Sequence, residues 1–216
     1  MHTQTLLHQV LQMPHIYLFM RELEESLAKE QEARAKYYEL MDAHKRVEFI
    51  NGEITTPFFD SEKHNLVIQQ LGKLLQNFLD KHPVGTLFVS NAHVFLTRNT
   101  YIPDICFFSA EKAKHFTPKQ EKFPAPDLVI EVLSRFSERI DKMIKFADYE
   151  AHRISEYWIV DADRGFVEQY HFEKYEYEMI LKTNHGLLKS FAINGFEVPI
   201  EAIFDSELNK KTLEKN

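Results

Sequence analysis

The amino-acid sequence predicts an α/β domain, with a central mixed β-sheet flanked by helices and a helical extension at the N-terminus. Three observations carry that expectation. Short runs rich in Val, Ile, Phe and Tyr recur from residue 46 to residue 181, with helix-like stretches set between them. One of these runs, DLVIEVLS at 127–134, is apolar almost throughout, as a central strand covered on both faces should be. The stretch 16–43 contains neither Gly nor Pro and is rich in Glu, Ala, Leu, Lys and Arg, so it reads as one long helix.

The elements follow in order. Met20, Leu23, Leu27 and Ala28 give the long helix a partial apolar stripe, suited to packing on the domain or pairing with a second copy of the chain, a homodimer. RVEFINGEIT then reads as a β-hairpin, because Asn51-Gly52 is a strong two-residue turn signal between strand-like runs. Ser61 is placed to cap a helix running to Lys81, whose buried face is Leu66, Leu71, Leu74, Leu75 and Phe78. After the Pro83 and Gly85 break come three strand candidates, TLFVSN, HVFLT and IPDICFFS, and a loop over 112–126. The strand at 127–134 precedes a helix over 137–152. YWIVDA, GFVEQYHF and YEYEMIL read as further strands, with a short helix between 199 and 208. The expected organisation is a helical extension at 1–35, the α/β domain at 36–208 and a polar tail at 209–216.

Bulk properties exclude several classes. A chain of 216 residues is long enough to bury about 70% of its unfolded surface in one domain. The single cysteine, Cys106, cannot form an intrachain disulfide and reads as a small buried hydrophobe. No run of about 18 apolar residues appears, and the N-terminus lacks the basic-then-apolar order of a signal peptide, so no membrane association and a cytoplasmic location are expected. The formal net charge of −7 leaves little non-specific attraction for nucleic acid, so any nucleic-acid surface must be local. The window 109–145, with eight Lys and Arg (Arg135 among them) against six Asp and Glu, is the best candidate; a solvated face explains it as well.

Two acids stand out because they sit in β-context. Asp104 follows Pro103 in YIPDICFF, and Glu131 lies between Ile130 and Val132. A carboxylate in such surroundings must be paired, hydrogen-bonded or bound to a metal, unless it reaches solvent at a strand end. Two carboxylates about 4 Å apart repel by roughly 4 kcal/mol at an effective dielectric of about 20, so a cation is needed to keep both ionised. Hard oxygen ligands on adjacent strands suit Mg²⁺ or Mn²⁺, and that arrangement serves phosphodiester hydrolysis. Eleven histidines show no HxH or HExxH spacing that would point to zinc. No Gly-rich phosphate loop or GxSxG elbow is present.

The helix after Glu131 carries two stripes. Ile140, Ile144, Ala147 and Ala151 form an apolar one expected to dock on the sheet. Asp141, Lys145, Asp148 and His152 form a neighbouring polar one, from which Lys145 could lean toward Glu131 or simply pair with Asp141 four residues earlier. Tyr157 and Trp158 read as core.

In order, YIPDICFF, PDLVIEVLS, DKMIKFADYE and SEYWIVDA resemble the Uma2 family of restriction endonucleases, which has the PD-(D/E)XK nuclease fold. The likeness runs from about residue 38 to 170 and takes in VEFINGEI; most of the long helix lies outside it. The resemblance implies a restriction-endonuclease-like core and a metal-dependent endonuclease that hydrolyses DNA with Mg²⁺ or Mn²⁺. It makes Asp104 and Glu131 the catalytic and metal-binding acids. The plain motif would put Lys at Leu133; the family's D-x-x-x-K-x-x-x-Y pattern instead gives Asp141, Lys145 and Tyr149, with Lys145 catalytic and Lys142 its competitor. Glu48 and Glu53 are further candidates in the opening hairpin. His64 falls where the resemblance suggests a recurrent His at a helix start, either catalytic or a capping contact. Two alternatives stand beside this reading: a catalytically inactive nuclease-fold module that binds nucleic acid or regulates, and an interaction protein built on the long helix.

Overall fold

A computed structural model describes residues 3–42, 45–56, 61–134 and 137–215. Ala43, the expected end of the long helix, and Arg135, one cation of the basic window, lie outside the described residues. The chain divides into two compact units, Met1–Thr56 and Pro57–Asn216. No helix among the described residues is long and apolar enough to cross a membrane.

The first unit holds helices α1 (Thr3–Leu11) and α2 (Ile16–Asp42) and the strands β1 (Glu48–Ile50) and β2 (Glu53–Thr55). β1 and β2 pair antiparallel, Ile50 opposite Glu53. Their turn puts Asn51 at φ 51° and Gly52 at φ 91°, the left-handed pair that a two-residue hairpin turn requires and that Asn-Gly tolerates. The C-terminal half of α2 packs on this hairpin. Tyr37 and Met41 are buried there, and the Arg34 guanidinium lies 4.3 Å over the Phe49 ring.

The second unit begins with α3 (Glu62–Lys81), whose first turn is capped as the sequence implies: the His64 backbone N–H donates to Ser61 Oγ at 3.2 Å. Then come β3 (Gly85–Val89), β4 (His93–Phe95), β5 (Thr100–Tyr101), β6 (Ile105–Ser109), α4 (Ala110–Ala113), β7 (Lys122–Phe123) and β8 (Leu128–Leu133). A π-helical turn, Ile140–Lys145, runs directly into α5 (Phe146–Ala151). The chain ends with β9 (Glu156–Asp161), β10 (Phe166–Glu173), β11 (Glu176–Thr183), β12 (Leu187–Lys189), β13 (Glu197–Pro199), α6 (Glu201–Phe204) and α7 (Ser206–Lys215).

The main sheet has six strands in the order β11-β10-β9-β8-β6-β3. Only the β8–β9 pair is parallel, so the sheet is mixed, as expected. Gly85 is required where β3 meets β6, because a Cβ there would come within 2.2 Å of the Phe108 carbonyl oxygen. Strand periodicity sorts the side chains. Leu128, Ile130 and Val132 join Ile105, Phe107, Trp158 and Val160 in the core beneath α3, whose Val67, Leu71 and Leu75 pack there. Glu131, Cys106 and Tyr157 point to the other face, which the π-turn and α5 cover.

Residues 209–215 form most of α7, where the buried Asn209 donates to the carbonyls of Gln70 (3.2 Å) and Ala202 (2.9 Å). One expectation about a helix face is corrected. On the helix after β8, the apolar stripe does not dock: Ala147 and Ala151 are exposed and Ile140 and Ile144 only half-buried, whereas Asp141, Lys145 and Tyr149 are buried. Residues four apart on a 3.6-residue helix diverge by about 40°. The wider π-turn, closed by the Phe146 N–H donating to the Asp141 carbonyl, brings the polar stripe onto the sheet.

Candidate active site

Asp104 stands one residue before β6, after Pro103, which has no N–H to offer a ladder. In the β6–β8 register Ile105 faces Ile130, so one further step sets Asp104 opposite Glu131. The Val132 N–H donates to Asp104 Oδ2 at 2.8 Å and fixes that carboxylate across the strand pair. His64 Nε2 lies 3.7 Å from Asp104 Oδ1. The candidate His at the helix start therefore does two things: its backbone completes the cap, and its buried ring approaches the first acid.

Glu131 Oε1 receives Lys145 Nζ at 3.0 Å and the Tyr149 hydroxyl at 2.9 Å. Lys145 Nζ also lies 3.3 Å from Asp141 Oδ1. Both readings of Lys145 left open by the sequence thus hold together: it pairs with Asp141 four residues earlier and reaches Glu131. Asp104 (8% exposed), Glu131 (3%), Asp141 (1%) and Lys145 (5%) are all buried. Lys142 instead meets Glu138 at 3.2 Å and Glu168 at 3.4 Å, away from Glu131. Glu48 and Glu53 belong to the first unit, Glu48 buried on β1 and Glu53 exposed on β2.

A second layer was not singled out by the sequence. Tyr101 donates to Asp148 Oδ2 at 2.8 Å, and Asn99 Nδ2 donates to the same oxygen at 2.7 Å. The Tyr101 ring lies 5.7 Å from Lys145 Nζ and packs edge-on against Tyr149 at 5.4 Å. Burial, followed by the Asp148 charge, holds the Tyr101 phenol far above its ordinary pKa, so it stays a donor. Burial and the nearby Glu131 carboxylate also push the Cys106 thiol far up, which removes it as a nucleophile. Tyr157 is raised by burial first and by Asp141 and Glu131 next.

The donor chemistry suits a hard cation. Asp104, one residue before β6, and Glu131, on the paired β8, are carboxylates set opposite each other, and two such groups with retained waters are the usual holding set for Mg²⁺. No group of three or more His, Cys, Asp and Glu that could hold a metal occurs among the described residues. Asp104, Glu131, Asp141 and Lys145 together carry a formal −2, the sign a divalent cation complements.

The sequence matches the Uma2 family, described as "Putative restriction endonuclease", over residues 34–201. This chain belongs to the Uma2 family. The Uma2 match spans the β1–β2 hairpin, both acids and Lys145, and leaves out α1 and the first two thirds of α2. The fold is similar to the crystal structure of a putative nuclease belonging to DUF820 from Anabaena variabilis ATCC 29413. The TM-score is 0.64 at 19% identity, covering 75% of this chain and 90% of that one. No curated protein matches the sequence. The Uma2 chain thus has a nuclease-like mixed α/β fold.

Proposed function

We propose that this Uma2 protein is a divalent-metal-dependent endonuclease that hydrolyses DNA phosphodiester bonds, with Asp104, Glu131 and Lys145 as its catalytic residues. The observation that carries the reading is the contact of Lys145 Nζ with Glu131 Oε1 at 3.0 Å, on a strand paired beside Asp104. It supplies, from the following helix, the ammonium that the plain motif would take from position 133.

Asp104 and Glu131 would hold Mg²⁺ or Mn²⁺. Bound there, such an ion lowers the pKa of a water and stabilises charge on phosphate oxygens. The protein's own groups do the rest. The Val132 N–H orients Asp104, and the Tyr149 hydroxyl orients Glu131. The Lys145 ammonium is steadied between Glu131 and Asp141, where it can hold the attacking water and stabilise charge developing on the phosphate. His64 beside Asp104 is a positioning residue in this reading.

Conversion of supercoiled DNA to nicked or linear forms tests the proposal, with Mg²⁺, Mn²⁺ or chelator and with Glu131→Gln as control. Cleavage that needs the metal and falls at least 100-fold in Glu131→Gln is expected. Equal cleavage by the variant would refute the site. Metal binding without cleavage of any DNA tested would favour the non-catalytic module.

A further inference from the structure

The first unit leaves much apolar surface uncovered. Leu6, Leu7 and Leu11 of α1 are more than half exposed, and Leu23 and Leu27 of α2 are each 46% exposed. Every residue from 17 to 29 is exposed, so no element among the described residues covers the N-terminal half of α2. Isolated helices of about this length are marginal in water, and exposed apolar stripes on them mark contact surfaces. This arm lies outside the span matched by the Uma2 family, which begins at residue 34.

The stripe has the spacing of a coiled-coil seam. Ile16, Met20, Leu23, Leu27, Glu30, Arg34, Tyr37 and Met41 recur at alternating intervals of four and three residues. Its second half is already used. Tyr37 and Met41 are buried, Arg34 covers Phe49, and a Cβ on Gly52 would lie 3.2 Å from the Glu30 carboxylate, so the seam there faces the β1–β2 hairpin. The first half carries the same pattern in apolar residues only.

We infer that this half-seam is an interface with a second copy of the chain, the two α2 helices pairing antiparallel about their 20–23 segments. In that register Ile16 meets Leu27 of the other copy and Met20 meets Leu23, giving four apolar layers by symmetry. The flanking positions agree: Glu24 faces Tyr17 and Ser26 faces Phe19, so no like charges oppose. Parallel pairing would carry both β1–β2 hairpins, each already filling its own seam from Glu30 onward, to the same end of the interface, where they would collide. Antiparallel pairing ends the seam before Glu30 and leaves the Arg34–Glu30 pair (3.4 Å) on its own hairpin.

The test uses the full chain. Sedimentation or light scattering should give a dimer mass for the wild type and a monomer mass for Leu23→Glu/Leu27→Glu. The melting of the second unit should be unchanged in the variant, since both sites are exposed and lie in the first unit. Orientation is read from variants with one added cysteine each, Cys106 being buried. Met20→Cys mixed with Leu23→Cys should form the crossed disulfide at least 10-fold faster than either self-disulfide. A monomeric wild type overturns the proposal and assigns the stripe to a different partner. A dimer that survives Leu23→Glu/Leu27→Glu, or self-disulfides that outrun the crossed one, overturns it as well.

Discussion

The Tyr149 hydroxyl donates to Glu131 Oε1 at 2.9 Å, the same oxygen that Lys145 Nζ contacts at 3.0 Å. A phenol and an ammonium from one helical face thus hold one carboxylate on the neighbouring strand. If the π-turn exists to bring this face to Glu131, each member of the network should be separable by its own readout.

Tyr149→Phe removes one donor and leaves the ring. Loss of about 1 kcal/mol of stability is expected, the usual net worth of such a hydrogen bond. Cleavage should fall about 10-fold with little change in substrate KM, because the lost contact orients Glu131 and does not touch DNA. Wild-type turnover in Tyr149→Phe would show that Glu131 needs no such orientation.

Lys145→Met keeps the volume and removes the cation between Glu131 and Asp141. Breaking a buried pair in this way costs about 3 kcal/mol or more. Denaturant unfolding without metal should show that loss, and Mn²⁺ should restore part of it by neutralising the stranded carboxylates. A variant as stable as the wild type in chelator would contradict the buried-pair account.

Glu168 gives a prediction in pH. It is buried, and although burial by itself raises its pKa, hydrogen bonds from Lys182 and Tyr170 and the charge of Lys142 outweigh that and hold it below its ordinary value of 4.5. A carboxylate depressed in the folded state stabilises the fold above its unfolded pKa, and that contribution disappears as pH falls through the folded value. Urea midpoints measured from pH 7 down to pH 3 should therefore drop more steeply below about 4.5 for the wild type than for Glu168→Gln. Parallel profiles would remove Glu168 from the acid limb.

Much of the fold was legible because it rests on local signals. Asn51-Gly52, the Ser61 cap and the apolar 127–134 run each name their own element. Asp104 and Glu131 were legible for a different reason: a charge among Ile, Val and Leu demands a partner wherever the chain goes. The face of the helix after β8 was not legible. Counting apolar residues favours Ile140 and Ile144, and only the partners on the sheet, Glu131 and the Tyr157 hydroxyl that donates to the Asp141 carbonyl at 3.1 Å, make the polar face the buried one. Asp148 stood on the polar stripe, but its partners Tyr101 and Asn99 were beyond reach because they lie nearly fifty residues away. Helix α7 was missed because its anchor is one buried Asn.

Mn²⁺ titration by calorimetry tests most directly the divalent-cation site proposed on Asp104 and Glu131. The wild type should bind Mn²⁺ and gain thermal stability with it, by about 2.7 kcal/mol at 100 times Kd. Asp104→Ala/Glu131→Ala should show neither heat nor shift. A wild type that neither binds nor is stabilised, or a double variant that binds equally well, would contradict the account.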